Sequence, residues 1–176
     1  EGNRFRRFDA SKYPSLVTLA LTDNLLTSID ISDNKNLELL SVSYNSLSDI
    51  VMDNDKLWAL YLDNNNISEI DLSGVPQLKQ LSISNNYLSQ INVENLDNLI
   101  MLIINNNYFT FETLPLHKPT YVRYYYHSQF PIEITDEDGV VDLSSQSYVD
   151  GVATIYRWFV GLPTVDEDGM LVGEEL

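Results

Sequence analysis

The 176-residue chain contains no cysteine, which excludes disulfides and thiolate metal sites and assigns it to no redox compartment. Basic residues are scarce, 10 against 26 acidic ones, for a formal charge of -16. A surface of that sign repels phosphate backbones and anionic lipid, so nucleic acid is not an expected partner. The small basic cluster at Arg4, Arg6, Arg7 and Lys12 is too slight to reverse this. No apolar run is long enough to cross a bilayer, so no direct membrane insertion is expected. The two histidines, His117 and His127, show no metal-ligand spacing, and no serine elbow accompanies them. Paired carboxylates such as Glu69 and Asp71 fall on an open face rather than in a cleft. The chain therefore reads as no enzyme, with no cofactor and no metal.

What is present is a repeat. Asparagines at positions 24, 45, 65, 86 and 107 stand 21, 20, 21 and 21 residues apart, each inside the frame L-x-x-L-x-L-x-x-N-x-L. The frame restarts at Leu16, Leu37, Leu57, Leu78 and Leu99. Three and five residues later come Leu19 and Leu21, Leu40 and Val42, Leu60 and Leu62, Leu81 and Ile83, and Leu102 and Ile104. Spacing by two puts each pair on one face of a short strand. A second alternating pair follows in four repeats: Ile29 with Ile31, Ile50 with Met52, Ile70 with Leu72, and Ile91 with Val93. The return side is therefore expected to be extended, since too few residues remain for a helix.

One repeat cannot bury its own apolar edge, so successive coils must stack their leucines into a continuous ladder. The expected fold is a right-handed leucine-rich repeat solenoid, β-rich with little or no helix, with a parallel concave sheet and an extended convex side. Each asparagine sits where the chain leaves the strand. Its amide is expected to satisfy backbone groups that would otherwise cost roughly 1–3 kcal/mol each if buried unpaired.

The frame extends upstream through Asn3, Phe5, Phe8 and Ala10, so residue 1 falls in mid-repeat. With no hydrophobic signal region and no initiator methionine, the expectation is a piece cut from a longer array. Repeat character fades near Thr113, and the expected division is a solenoid over 1–117 and a β-rich capping or partial sandwich segment over 118–176. The later text, T-Y-V-R-Y-Y-Y-H, P-I-E-I-T, G-V-V-D-L-S and V-A-T-I-Y-R-W-F-V, carries strand signals between turn-rich clusters. Two D-E-D-G sequences, Asp136 to Gly139 and Asp166 to Gly169, read as hairpin turns. They lack the further ligands of a helix-loop-helix calcium loop.

The coils resemble the 21-residue leucine-rich repeats of bacterial surface proteins, especially those of gut Bacteroidetes and Firmicutes. Residues 57–77, L-W-A-L-Y-L-D-N-N-N-I-S-E-I-D-L-S-G-V-P-Q, carry the resemblance most fully. The tail with Y-Y-Y-H-S-Q-F-P, V-D-L-S-S-Q and T-I-Y-R-W is similar to the β-rich segment that often follows such arrays. Internalins are more distantly similar. The resemblance implies an extracellular or cell-surface protein that binds rather than catalyses.

Outward side chains of the concave strands form a grid, with strands about 4.8 Å apart. Most of its residues are small and polar, but Leu39, Tyr61, Met101 and Ile103 are not, and Trp58 and Ile100 lie at its edge. These are the expected anchors for a protein partner, with Asp63, Gln80 and Asn105 as polar members of the same grid. For a carbohydrate partner, Tyr61 and Trp58 would stack on sugar rings while Asp63, Asn85 and Asn105 bond hydroxyls. An inert spacer presenting a distal domain is the third reading; a monomer is expected in each case. The convex acids Asp30, Asp49, Asp53, Glu69, Asp71 and Glu94 read as a solvated face.

Overall fold

The computed structural model describes residues 2–110, 112–127 and 129–130, together with the backbone of four two-residue strands further on. The chain divides into two compact units, Glu1–Ile134 and Thr135–Leu176.

In the first unit the only helical element among the described residues is a single 3-10 turn, Ala10–Lys12. Strands then follow, on alternate sides of the coil as far as β4 and on the concave side thereafter: β1 (Thr18–Ala20), β2 (Ser28–Asp30), β3 (Leu39–Ser41), β4 (Asp49–Val51), β5 (Ala59–Tyr61), β6 (Gln80–Ser82), β7 (Met101–Ile103) and β8 (Arg123–Tyr125). The concave sheet is six-stranded and parallel, in the order β1-β3-β5-β6-β7-β8. Its register sets equivalent frame positions side by side, Leu19 on Leu40, Leu40 on Leu60, Leu60 on Leu81 and Leu81 on Leu102. The inward residues Leu37, Leu40, Leu47, Leu57, Leu60, Leu62, Leu78 and Leu81 are fully buried. Each such side chain contributes about 1.5–3 kcal/mol by leaving water.

The ladder asparagines, buried except for half-buried Asn45, stitch adjacent coils in one repeated pattern. Asn65 Nδ2 donates to the carbonyls of Leu62 in its own coil and Val42 in the preceding one, at 2.9 and 3.1 Å. Its Oδ1 accepts the Leu47 N–H at 2.9 Å. Asn45, Asn86 and Asn107 repeat this, accepting the N–H of Leu26, Ile67 and Leu88. The residue just before each asparagine is left-handed, with φ between 54 and 58° at Asp23, Tyr44, Asn64, Asn85 and Asn106. Asparagine tolerates that conformation better than other side chains do, which explains three of the five.

The solenoid continues past residue 117, where the repeat text fades. Strand β8 pairs with β7, Leu102 opposite Tyr124. Tyr121 and Tyr124 take the first two leucine positions, and Gln129 takes the asparagine position. Gln129 Nε2 donates to the Ile104 and Tyr126 carbonyls, while its Oε1 accepts the N–H of Asn107 and Phe109. The longer amide side chain does the asparagine's work in a sixth coil.

On the return side the backbone pairing changes along the solenoid. Among the described residues only β2 and β4 pair there, in the first two coils. The same two coils carry a second set of buried asparagines, Asn34 and Asn54. Asn54 Nδ2 donates to the carbonyls of Ile31 and Asn34, both at 2.9 Å. Val75 and Leu96 stand at the corresponding places in coils three and four and are buried as apolar residues. Coil two is one residue shorter than its neighbours, and the shortening falls in this turn. A β-carbon on Gly74 would lie 2.3 Å from the Met52 carbonyl oxygen, so only glycine fits there.

In the second unit, β9 (Tyr148–Val149) pairs antiparallel with β10 (Val152–Ala153), and β11 (Thr164–Val165) with β12 (Leu171–Val172). The first D-E-D-G sequence lies outside the described residues. So does the second, which falls in the chain between β11 and β12.

Candidate binding surface

The concave grid is divided into three zones. At its centre, Asp63 holds three coils together: its Oδ1 accepts the Ser82 hydroxyl at 2.6 Å and the Ser84 N–H at 2.9 Å. The Ser43 hydroxyl lies 3.4 Å from Oδ2 and accepts the Asp63 N–H. Ser43, Ser82 and Ser84 are buried beneath this carboxylate. The Tyr61 hydroxyl donates to Gln80 Oε1 at 2.5 Å, and the Ser84 hydroxyl donates to Asn105 Oδ1 at 2.9 Å. Four of the sequence-nominated residues, Tyr61, Asp63, Gln80 and Asn105, are thus joined to sheet neighbours.

The apolar residues fall on either side of that centre. Leu39, Trp58 and Tyr61 lie in coils two and three, all half-buried. Met101 and Ile103 lie in coil five, also half-buried, with Ile100 exposed beside them. Strand β6 separates the two apolar groups, and Gln80, itself one of the eight nominated residues, lies on it between Tyr61 and Met101. The second group is larger than the sequence pattern indicated, because β8 adds Tyr125 opposite Ile103. Tyr125 is 46 % exposed and Val122 78 % exposed. The overlooked signal was the spacing Y-x-x-Y-x-Y-x-x-Q over 121–129, in which tyrosine and glutamine replace leucine and asparagine.

A third feature borders the sheet. Tyr87, Tyr108 and Phe130 directly follow the ladder amides of successive coils. Tyr87 and Tyr108 stack with centroids 6.2 Å apart, and Tyr108 and Phe130 lie 5.1 Å apart. Behind β8, Tyr121 and Tyr124 pack with His117, and burial pushes both phenols above their ordinary range. The Tyr124 hydroxyl donates to the Pro115 carbonyl, whereas the buried Tyr121 hydroxyl has no partner among the described residues. Among those residues no group of three His, Asp or Glu side chains gathers as a metal site, and no helix is long and apolar enough to cross a membrane.

With this geometry in view, comparison with known proteins is consistent in kind. Residues 77–99 match the family model described as Leucine Rich Repeat. The chain is similar to the functional domain of InlJ from Listeria monocytogenes, a domain described as including a cysteine ladder. That similarity has 28 % identity and a TM-score of 0.50, covering 62 % of this chain and 30 % of that one. It is also similar to the leucine-rich repeat domain of APL1B, at 25 % identity and a TM-score of 0.50, covering 61 % and 32 % of the two chains. The matches thus cover about a third of either structure. No curated protein matches the chain. The fold is that of leucine-rich repeat proteins, generally modules for protein–protein interaction; here the buried ladder is asparagine, not cysteine.

Proposed function

We propose that the solenoid is a non-catalytic module that binds a protein partner through its concave sheet, as a monomer, outside the cell or on its surface. The observation that carries this reading is the arrangement of half-buried apolar side chains around a polar centre whose hydrogen bonds are already made. Leu39, Trp58 and Tyr61 on one side, and Met101, Ile103 and Tyr125 on the other, offer apolar area without requiring the centre to be rebuilt. A sugar would need hydroxyl partners from Asp63 and Asn105, whose oxygens are committed to serines. The likeness to InlJ and to 21-residue bacterial surface repeats supports display outside the cell, and adhesion is the role that fits such display.

A photo-crosslinker at Ile103, with one at exposed Ser89 as control, would capture partners from a secreted and surface protein fraction. A captured protein is then purified and titrated against the Tyr61→Ala/Met101→Ser variant. Binding is expected to weaken at least about tenfold, or about 1.4 kcal/mol, with the melting temperature nearly unchanged. Undiminished binding by the folded variant would exclude the concave face.

A further inference from the structure

The return side of the first unit carries a groove that neither the core nor the concave sheet uses. It encloses about 870 Å³ and runs across coils two to five. Half-buried Ile50, Ile70, Ile91 and Leu114 form its floor. Exposed Asp49, Glu69, Asp71 and Glu94 line its sides. The groove lies where pairing between coils has stopped. Among the described residues, no backbone hydrogen bond joins 68–72 to 89–93, so the return segments are not zipped into a sheet there.

An apolar floor flanked by carboxylates, on a chain of formal charge -16, selects a guest that is both aliphatic and cationic. Two lysines of the chain already show this chemistry on the return side. Lys118, at the coil-five end of the groove, donates to the carbonyls of Val93 and Glu94 at 3.1 Å each. Lys35 donates to the Asp53 carbonyl at 2.8 Å and pairs with its carboxylate at 2.5 Å.

We propose that this groove is a second docking site, for an extended segment of a protein partner in which lysine or arginine alternates with aliphatic residues. Coils spaced about 4.8 Å apart span about 14 Å from the second to the fifth, which four or five extended residues at about 3.4 Å each would fill. The aliphatic side chains cover Ile50, Ile70 and Ile91. The cations meet Asp49, Glu69, Asp71 and Glu94. Lys118 occupies the coil-five end, so the guest cations lie against coils two to four.

The test uses the full chain with labelled isoleucine methyls and a capped hexapeptide alternating lysine and valine. Saturable shifts are expected at Ile50, Ile70 and Ile91, and a lysine–serine hexapeptide should bind at least about tenfold more weakly. Neutralising the groove with Asp49→Asn, Glu69→Gln, Asp71→Asn and Glu94→Gln should weaken binding about tenfold. The equally neutralising set Asp33→Asn, Glu38→Gln, Asp55→Asn and Asp97→Asn should change it less than about twofold. Equal losses in the two sets would show attraction to net charge alone and overturn the proposal, as would equal binding of both peptides or shifts confined to Ile103.

Discussion

The two sides of one coil are held by different means. On the strand side every coil from the first to the sixth is tied to its neighbour by a buried or half-buried amide, and the sheet runs unbroken from β1 to β8. On the return side the amide ties stop after Asn54, β2–β4 is the only paired set among the described residues, and a groove opens beyond it. Apolar burial holds both sides, since Val75 and Leu96 are as buried as the asparagines they replace. What the amide adds is pairing of backbone groups, so its position governs where the solenoid is closed and where it presents open backbone.

Substitutions at the two kinds of position sharpen this contrast. Asn65→Ala strands the Leu47 N–H and removes one of the two amide donors on each of the Val42 and Leu62 carbonyls, which keep Asn45 and Asn86, and should cost about 1–3 kcal/mol in urea unfolding. Gly74→Ala forces a β-carbon onto the Met52 carbonyl and should cost about 1–3 kcal/mol, with disturbance confined to the return turns of coils two and three. Asn54→Val, which copies the choice at Val75, should cost about 1–2 kcal/mol and speed exchange of the Ile31 amide, leaving the strand amides protected. Smaller and opposite in sign, Tyr44→Asn should stabilise by about 1 kcal/mol by easing a left-handed backbone.

The sixth coil responds to alkaline pH. Tyr121 and Tyr124 are raised by burial, so the protonated phenols favour the folded state. Their contribution is complete below the ordinary tyrosine range near pH 10 and is lost as pH rises toward the folded values. Melting temperature should therefore fall above about pH 10, and Tyr121→Phe should lessen the fall. Because the Tyr121 hydroxyl is unpaired, the same substitution should leave neutral-pH stability equal or up to about 1 kcal/mol higher.

The strand side was legible residue by residue, because leucine and asparagine recur there in fixed register and each has one physical role. Legibility ended where another residue type took over that role. Tyr121, Tyr124 and Gln129 fill the sixth coil without a leucine or asparagine among them, which hid β8 and with it Tyr125. On the return side the alternating isoleucines mark burial alone. Pairing there follows Asn34 and Asn54, whose spacing of 20 resembles ordinary turn composition when only two examples exist. Among the nominated surface residues, side-chain type could identify Leu39, Met101 and Ile103 as apolar. It could not reveal that Asp63 and Asn105 are bound by serines one coil away.

Residue-resolved amide hydrogen exchange of the full chain tests the difference between the two sides most directly. Strong protection is expected at Leu60, Leu81 and Leu102 throughout the strand side, and at Ile31 on the return side. Ile70, Leu72, Ile91 and Val93 should exchange at least about a hundredfold faster. Protection of these four equal to that of the strand amides would show the return side to be paired throughout and would contradict the division.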